Sequence, residues 1–362
     1  MASALYSPVL DLLDPAKRFI LSPFLTGPLL YSFTQYPDTV RHVLATISQH
    51  LPEQARPVLS SLPNSTAVTV LQVLVALGLV RTVNGMLNTM AANSWRLTAA
   101  SGWDWPNEIA VITGGSSGIG KGIAERLAKM GVRVAVLDIQ EPPKDLQSNP
   151  RIRFFHCDVT SSESVKAAAD AVRRELGHPS ILVNNAGVAR STPILQADEA
   201  FLRRILGVNL MSMWFTTQQF LPRMVQVNKG HIVTMASIAS FVALATAADY
   251  SATKAGALAF HEALAAEIKH QYKASGVLTS VVHPNFVRTP LIEDFSSRLE
   301  SAGVRMLTSD RIADDVVAQI KSRRGGQLII PPSATAVSGI RGWPTWLQEL
   351  LRDAVASVAV KP

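Results

Sequence analysis

Cysteine is almost absent. The one cysteine, Cys157, excludes an internal disulfide and a zinc centre built on several thiolates. It follows an apolar run and reads as a small buried hydrophobe. Acidic residues are in deficit, 27 Asp and Glu against 34 Lys and Arg, for a formal charge of +7. That balance could serve nucleic acid or an anionic membrane. The basic residues, among them Arg173, Arg174, Arg203, Arg204, Arg323 and Arg324, are however scattered along amphipathic segments. Solvated helix faces explain them, and no nucleic-acid partner is expected. No metal site is expected. The opening MASALYSPVLDLLD has no basic segment and carries acids, which argues against a cleaved signal peptide. No apolar run reaches the roughly 20 residues of a straight membrane-spanning helix, and no internal repeat is evident.

What is present divides the chain in three. Residues 1–105 are rich in proline, at 8, 15, 23, 28, 37, 52, 57 and 63, and hold two apolar stretches. Phe19 to Phe33 is broken by Pro23 and Pro28; Ala67 to Val80 has no charge until Arg81. Each is a marginal span that could instead lie in the interface or form a re-entrant pair. Trp95, Trp103 and Trp105 follow where an aromatic belt would sit. Residues 1–105 are therefore expected to form a helical, membrane-associated extension, with a soluble helical cap as the alternative.

Residues 106–335 alternate strand-like and helix-like segments. The run Ile109 to Ile112 reads as a buried strand, followed by Gly114, Gly118 and Gly120 and then a helical periodicity through Ile119, Ile123, Leu127 and Met130. Glycines let the backbone approach a ligand, and the helix N-terminus offers free N–H groups to a pyrophosphate. A P-loop would need Ser or Thr after Gly120-Lys121; Gly122 stands there. A second apolar run, Val132 to Leu137, ends in Asp138, where a carboxylate can hold an adenosine ribose. Further strands are expected at 151–157, 180–183, 231–236, 277–282 and 327–330. Helices are expected from a capping box at Thr160-Ser-Ser-Glu163, over roughly 197–226, and over 248–273. The fold expected is α/β, a Rossmann-type doubly wound parallel sheet of about seven strands. Residues 336–362 carry a helical apolar stripe from Trp343 through Leu347, Leu351 and Val355, suited to core packing, a membrane surface or a dimer seam.

The chemistry gathers at the strand ends. Tyr250 and Lys254, four apart on a helix, share one face. Ser237 follows the fifth strand; Asn184, Asn185 and Gly187 follow the fourth; Asn209 is a polar residue within the long helix. Thr113-Gly114-x3-Gly118-Ile119-Gly120, Asn184-Asn185-Ala186-Gly187, Asn209, Ser237 and Tyr250-x3-Lys254, in that order, resemble the short-chain dehydrogenase/reductase family over about residues 107–332.

The resemblance implies an oxidoreductase that interconverts an alcohol and its carbonyl by hydride transfer. Tyr250 would be the acid/base, Lys254 would lower its pKa and hold the nicotinamide ribose, Ser237 would orient the substrate oxygen, and Asn209 would hold a proton-relaying water. Gly114, Ser116, Ser117, Gly118, Ile119, Gly120, Asp158, Val159, Asn185, Ala186, Gly187, Val287 and Thr289 would join Asp138, Tyr250 and Lys254 around the cofactor. Asp138 would repel a 2′-phosphate, and its neighbours Ser117 and Ile139 are not basic, so NAD is expected over NADP.

After the sixth strand the family usually has Pro-Gly; here it is Pro284-Asn285-Phe286-Val287. With the apolar N-terminus, this resembles the branch containing the retinol and 17-beta-hydroxysteroid dehydrogenases of lipid droplets and endoplasmic reticulum. It implies a lipophilic alcohol (retinoid, steroid or long-chain), a membrane or lipid-droplet surface as partner, and a catalytic domain facing the cytosol. Phe241, Val242, Leu244, Leu291, Ile292 and Phe295 are expected to make the pocket apolar. A homodimer through the two long helices is implied by the family. The alternatives are a silent NAD sensor and a membrane scaffold of the same fold.

Overall fold

The computed structural model describes residues 19–50, 64–301 and 303–359. These divide into two compact units, one holding residues 19–50 and 64–89, the other residues 90–301 and 303–359. In the first lie helices α1 (Pro23–Gln35) and α2 (Pro37–Gln49) and most of α3 (Asn64–Ala92). The expected break at Pro28 does not occur: Pro28 sits inside α1. The expected apolar stretch ending at Val80 is part of one 29-residue helix that continues through Arg81. At 1.5 Å per residue it is about 43 Å long. It is the one described helix long and apolar enough to cross a membrane. Val70, Val73, Leu77 and Val80 on it are exposed.

The second unit is built on a parallel sheet of seven strands: β1 (Ile109–Thr113), β2 (Arg133–Asp138), β3 (Ile152–His156), β4 (Ile181–Asn184), β5 (Gly230–Met235), β6 (Val277–Pro284) and β7 (Gly326–Ile330). Their order is β3-β2-β1-β4-β5-β6-β7. All residues of β1, β4 and β5 are buried, as expected for strands covered on both faces. Side chains alternate between two apolar layers. Ala110, Ile112, Val134 and Val136 join Ile123, Leu127, Ile312 and Val316 on one face; Val111, Ala135 and Leu182 join Val165, Val172, Phe220 and Met224 on the other. The order reverses between β1 and β4, and that switch point opens a crevice at the strand C-termini.

Its α-helices of eight or more residues are α4 (Gly118–Lys129), α5 (Ser162–Glu175), α6 (Glu199–Leu206), α7 (Ser212–Gln226), α8 (Ala248–Ala266), α9 (Glu293–Ser301), α10 (Ser309–Ser322) and α11 (Thr345–Ala359). One expectation is corrected. The cap of α5 is Ser161, whose hydroxyl accepts from Ser164 N–H; Thr160 turns instead to Asp158. The helix expected over 197–226 runs unbroken over 199–226, with a π-helical turn, Gly207–Met211, between α6 and α7, and Asn209 sits in that turn. Residues 90–105 cluster with the sheet: Asn93 accepts from Gly325 N–H at 3.3 Å. Residues 336–359 do so too, through buried Ile340 and Val355.

Candidate active site

A cleft of about 710 Å³ opens over the C-terminal ends of β1, β2, β4 and β5. Its cofactor end is made by the turn between β1 and α4. Gly114 and Gly118 have φ of +63° and +52°, a region that side-chain-bearing residues rarely occupy. A Cβ on Gly120 would stand 2.2 Å from the Gly114 carbonyl oxygen and 2.6 Å from Asn185 Nδ2. The helix therefore enters close to the strand end only because position 120 is glycine.

The strand ends are stitched together beneath this turn. Thr113 Oγ1 accepts from the N–H groups of both Asn185 and Ala186 at 3.0 Å. Asn185 Nδ2 donates to the carbonyls of Thr113 and Gly114, also at 3.0 Å. Asn184 is drawn away from the cleft to Thr216 at 2.7 Å. Thr113 was not singled out as a site residue; its place at the end of β1 beside the Asn-Asn pair is the signal that points to it.

Asp138 sits at the end of β2 and lines the cleft. One carboxylate oxygen accepts from Ser116 N–H at 3.0 Å, the other from Gln140 N–H at 3.1 Å. Ser116 is buried and its hydroxyl is committed to the Gln140 carbonyl, so it shapes the turn rather than facing the cleft. Ser117 caps α4 with no side-chain hydrogen bond of its own. Ile119, Asp158, Val159 and Gly187 line the cleft. Thr289 closes over the turn, its methyl 3.5 Å from where a Gly118 Cβ would lie. A glycine turn packed close on the strand ends, an open helix N-terminus and a carboxylate at the second strand end fit a dinucleotide.

Ser237, Tyr250 and Lys254 converge on the same cleft. Ser237 Oγ accepts from Ala239 N–H at 3.1 Å, which fixes the turn after β5. Tyr250 is half-buried, and Lys254 Nζ lies 5.6 Å from its ring centroid. Lys254 is only 4% exposed, and its Nζ donates to the Met235 carbonyl at 2.8 Å. Burial pushes the Tyr250 phenol above its ordinary value of 10, while the Ser237 hydroxyl pulls it down. The lowering expected from Lys254 does not outweigh burial. Burial also brings Lys254 down to about 8.

Asn209 is fully buried, with Oδ1 accepting from Val188 N–H and Nδ2 donating to the Val188 carbonyl. Both amide hydrogens are used, the second on Thr253 Oγ1 at 3.3 Å. A water held here would need other groups than this amide's donors.

Leu244, Leu291 and Ile292 line the cleft as expected. Phe241 and Val242 do not. They are buried behind it against Ile340, because the turn after Ser237 folds them inward. The Phe295 side chain lies outside the described residues. Val355, from α11, lines the cleft and was not foreseen; nothing in its spacing separates it from other stripe residues.

A family model described as short chain dehydrogenase matches residues 108–300. Dehydrogenase RED2 of Cochliobolus heterostrophus is 36% identical, over 60% of this chain and 82% of that protein. Estradiol 17-beta-dehydrogenase 11 of Macaca fascicularis is 31% identical, over 63% of this chain and 76% of its own length. The ligand-free structure of Thermoplasma acidophilum aldohexose dehydrogenase shares the fold at a TM-score of 0.53, with 24% identity over 62% of this chain and 92% of that one. The chain belongs to the short-chain dehydrogenase family, and is an NAD(P)-binding oxidoreductase of CH–OH donors.

Proposed function

We propose that this protein interconverts a lipophilic alcohol and its carbonyl, with NAD as the cofactor and Tyr250 as the acid/base. The observation that carries the reading is the convergence of Ser237, Tyr250 and Lys254 on one cleft that continues into Leu244, Leu291 and Ile292. When bound, the nicotinamide supplies or accepts the hydride. Tyr250 exchanges the proton at the substrate oxygen. Its raised pKa keeps the phenol protonated at neutral pH, which suits it to donate to a carbonyl. Ser237 holds the same oxygen. Lys254, still largely charged at pH 7, stabilises the phenolate that forms. Asn209 fixes the loop after β4 through Val188.

Asp138 supports NAD over NADP, since the neighbouring cleft residues Ser117, Ile139, Gln140 and Asp158 offer a 2′-phosphate no cation. The name of the estradiol dehydrogenase relative supports a steroid or similarly apolar substrate. The exposed apolar helix α3 supports attachment to a membrane or lipid droplet. Exposed Leu206, Met211 and Trp214 on the α6–α7 face support a homodimer.

The test is NADH formation by full-length protein in detergent with retinol, estradiol and dodecan-1-ol, with NAD and NADP in parallel. Turnover of one lipid class, lost in Tyr250→Phe, is expected. Near-normal turnover by Tyr250→Phe would overturn the mechanism.

A further inference from the structure

Behind Ser237, on the side away from the cleft, lies a buried histidine that the mechanism above does not use. His283 is the last residue but one of β6 and is 0% exposed. Its Nδ1 lies 3.1 Å from the Ser237 carbonyl oxygen and 2.9 Å from Ser240 Oγ. Its Nε2 lies 3.2 Å from Gln327 Nε2 on β7. The ring packs against Phe241 with centroids 4.5 Å apart.

These neighbours favour one tautomer. A carbonyl oxygen only accepts, and the Ser240 hydroxyl spends its own proton on that carbonyl, so Nδ1 is assigned the proton. With the Gln327 amide oriented as it is, its nitrogen only donates, so Nε2 must be bare. The two edges of the ring, facing different strands, demand the same form. Burial keeps the ring neutral, down to about pH 4, helped by the nearby charge of Lys254 and opposed by the Ser237 carbonyl. The same turn is held from a third side: Arg341 donates to the Ser240 carbonyl at 3.1 Å and the Phe241 carbonyl at 3.4 Å. Ser240 Oγ itself donates to the Ser237 carbonyl.

We propose that His283, as the Nδ1–H tautomer, is the positioning residue for Ser237: by holding the Ser237 carbonyl it sets the backbone from which the Ser237 hydroxyl reaches the substrate oxygen. His283 does not line the cleft, so it acts through the Ser237–Ser240 turn that its Nδ1 touches. The inference rests on the proposed role of Ser237. A displacement of about 1 Å at a reacting group can cost about a hundredfold in rate; the other holds on Ser237 are the Ser240 hydroxyl on the same carbonyl, Ala239 N–H on Oγ, and a 3.5 Å hydrogen bond from Oγ to the Pro284 carbonyl.

Three substitutions separate positioning from packing. In His283→Asn, the amide nitrogen can occupy the place of Nδ1 one bond from Cγ. In His283→Gln it lies one bond further out, and in His283→Leu there is no donor. All three lose the packing on Phe241. Positioning predicts that kcat follows the donor, about tenfold or more down for Leu and Gln and recovered to within about threefold by Asn. KM for NAD should stay within about twofold throughout. The assay uses whichever of estradiol, retinol and dodecan-1-ol is turned over fastest. If kcat instead follows melting temperature, with Asn no better than Leu, the inference is overturned. An Nε2–H tautomer in the nitrogen-15 NMR spectrum of the wild-type protein would overturn it without any activity measurement. Ser237→Ala in the same panel distinguishes the two levels. If it is inactive while His283→Leu matches wild type, only the inference fails; if Ser237→Ala is fully active, the assignment of Ser237 fails and His283 has nothing to position.

Discussion

The Asn209 amide is paired in both directions with the backbone of one residue: Oδ1 accepts from Val188 N–H at 2.8 Å, and Nδ2 donates to the Val188 carbonyl at 2.9 Å. The π-helical turn Gly207–Met211 aims it there, and Val188 begins the loop that borders the cleft. Asn209→Ala leaves two backbone groups without partners, each costing about 1–3 kcal/mol. The variant should lose several degrees in melting temperature and at least about tenfold in kcat. Asn209→Asp keeps the acceptor but sets a carboxylate against the Val188 carbonyl, and should be no better than Ala. A thermal scan with steady-state kinetics decides.

The turn at Gly120 makes a sharper prediction. A methyl group there would meet the Gly114 oxygen at 2.2 Å, and backbone cannot move aside cheaply. Gly120→Ala should weaken NADH binding by more than about tenfold, on the scale of close-packing violations of 1–3 kcal/mol. Fluorescence titration with NADH reads this directly. Unchanged affinity would mean that α4 can withdraw from the strand end.

The proposed preference for NAD is tested at Asp138. Asp138→Asn retains an acceptor for Ser116 or Gln140 N–H and removes the charge. The ratio of kcat/KM for NADP to that for NAD should rise by about tenfold or more, since one decade is about 1.4 kcal/mol of discrimination. A ratio that does not move would place the discriminating contact elsewhere.

Lys254 should control the pH at which alcohol is oxidised. Tyr250 must be deprotonated to act as base, and burial holds its phenol high, so oxidation should increase with rising pH. The ammonium favours the phenolate, so Lys254→Met should move the rising limb upward by about one unit or more and raise KM for NAD. Carbonyl reduction needs the phenol protonated and should decline over that same range. A pH–rate profile in both directions tests the sign.

Buried histidines predict acid instability. Burial lowers His231 from 6.5 to about 3 and His283 to about 4. Above about 6.5 both are neutral folded and unfolded, and their contribution is fully retained. As pH falls below 6.5 the unfolded chain takes up protons that the folded chain refuses, so stability falls until about 4 for His283 and about 3 for His231. Each pK unit corresponds to about 1.4 kcal/mol. Melting temperature should fall steeply from pH 6.5 to 4, and His231→Asn should flatten that slope.

The sequence alone determined the sheet and put the glycine turn, Asp138 and the Tyr250–Lys254 pair at its strand ends, where the cleft lies. Continuous apolar runs such as Ile109 to Ile112 can be satisfied only by strands covered on both faces. The spacing of Gly114, Gly118 and Gly120 and the four-residue step from Tyr250 to Lys254 are local geometry, and local geometry is written in sequence. What tertiary structure alone decided is where side chains of equal character go. Phe241 and Leu244 read alike, yet one is buried against Ile340 and the other lines the cleft, because the turn at Ser237 points them oppositely. Val355 reaches the cleft from α11, some 100 residues beyond Tyr250 in the chain. Lys254 reads as the charge that tunes Tyr250, yet its nearest partner is the carbonyl of Met235. His283 reads as one more residue of a buried strand; only the packing of β5, β6 and β7 sets Ser237 and Gln327 on either side of its ring. Such contacts join residues far apart in the chain, and no periodicity records them.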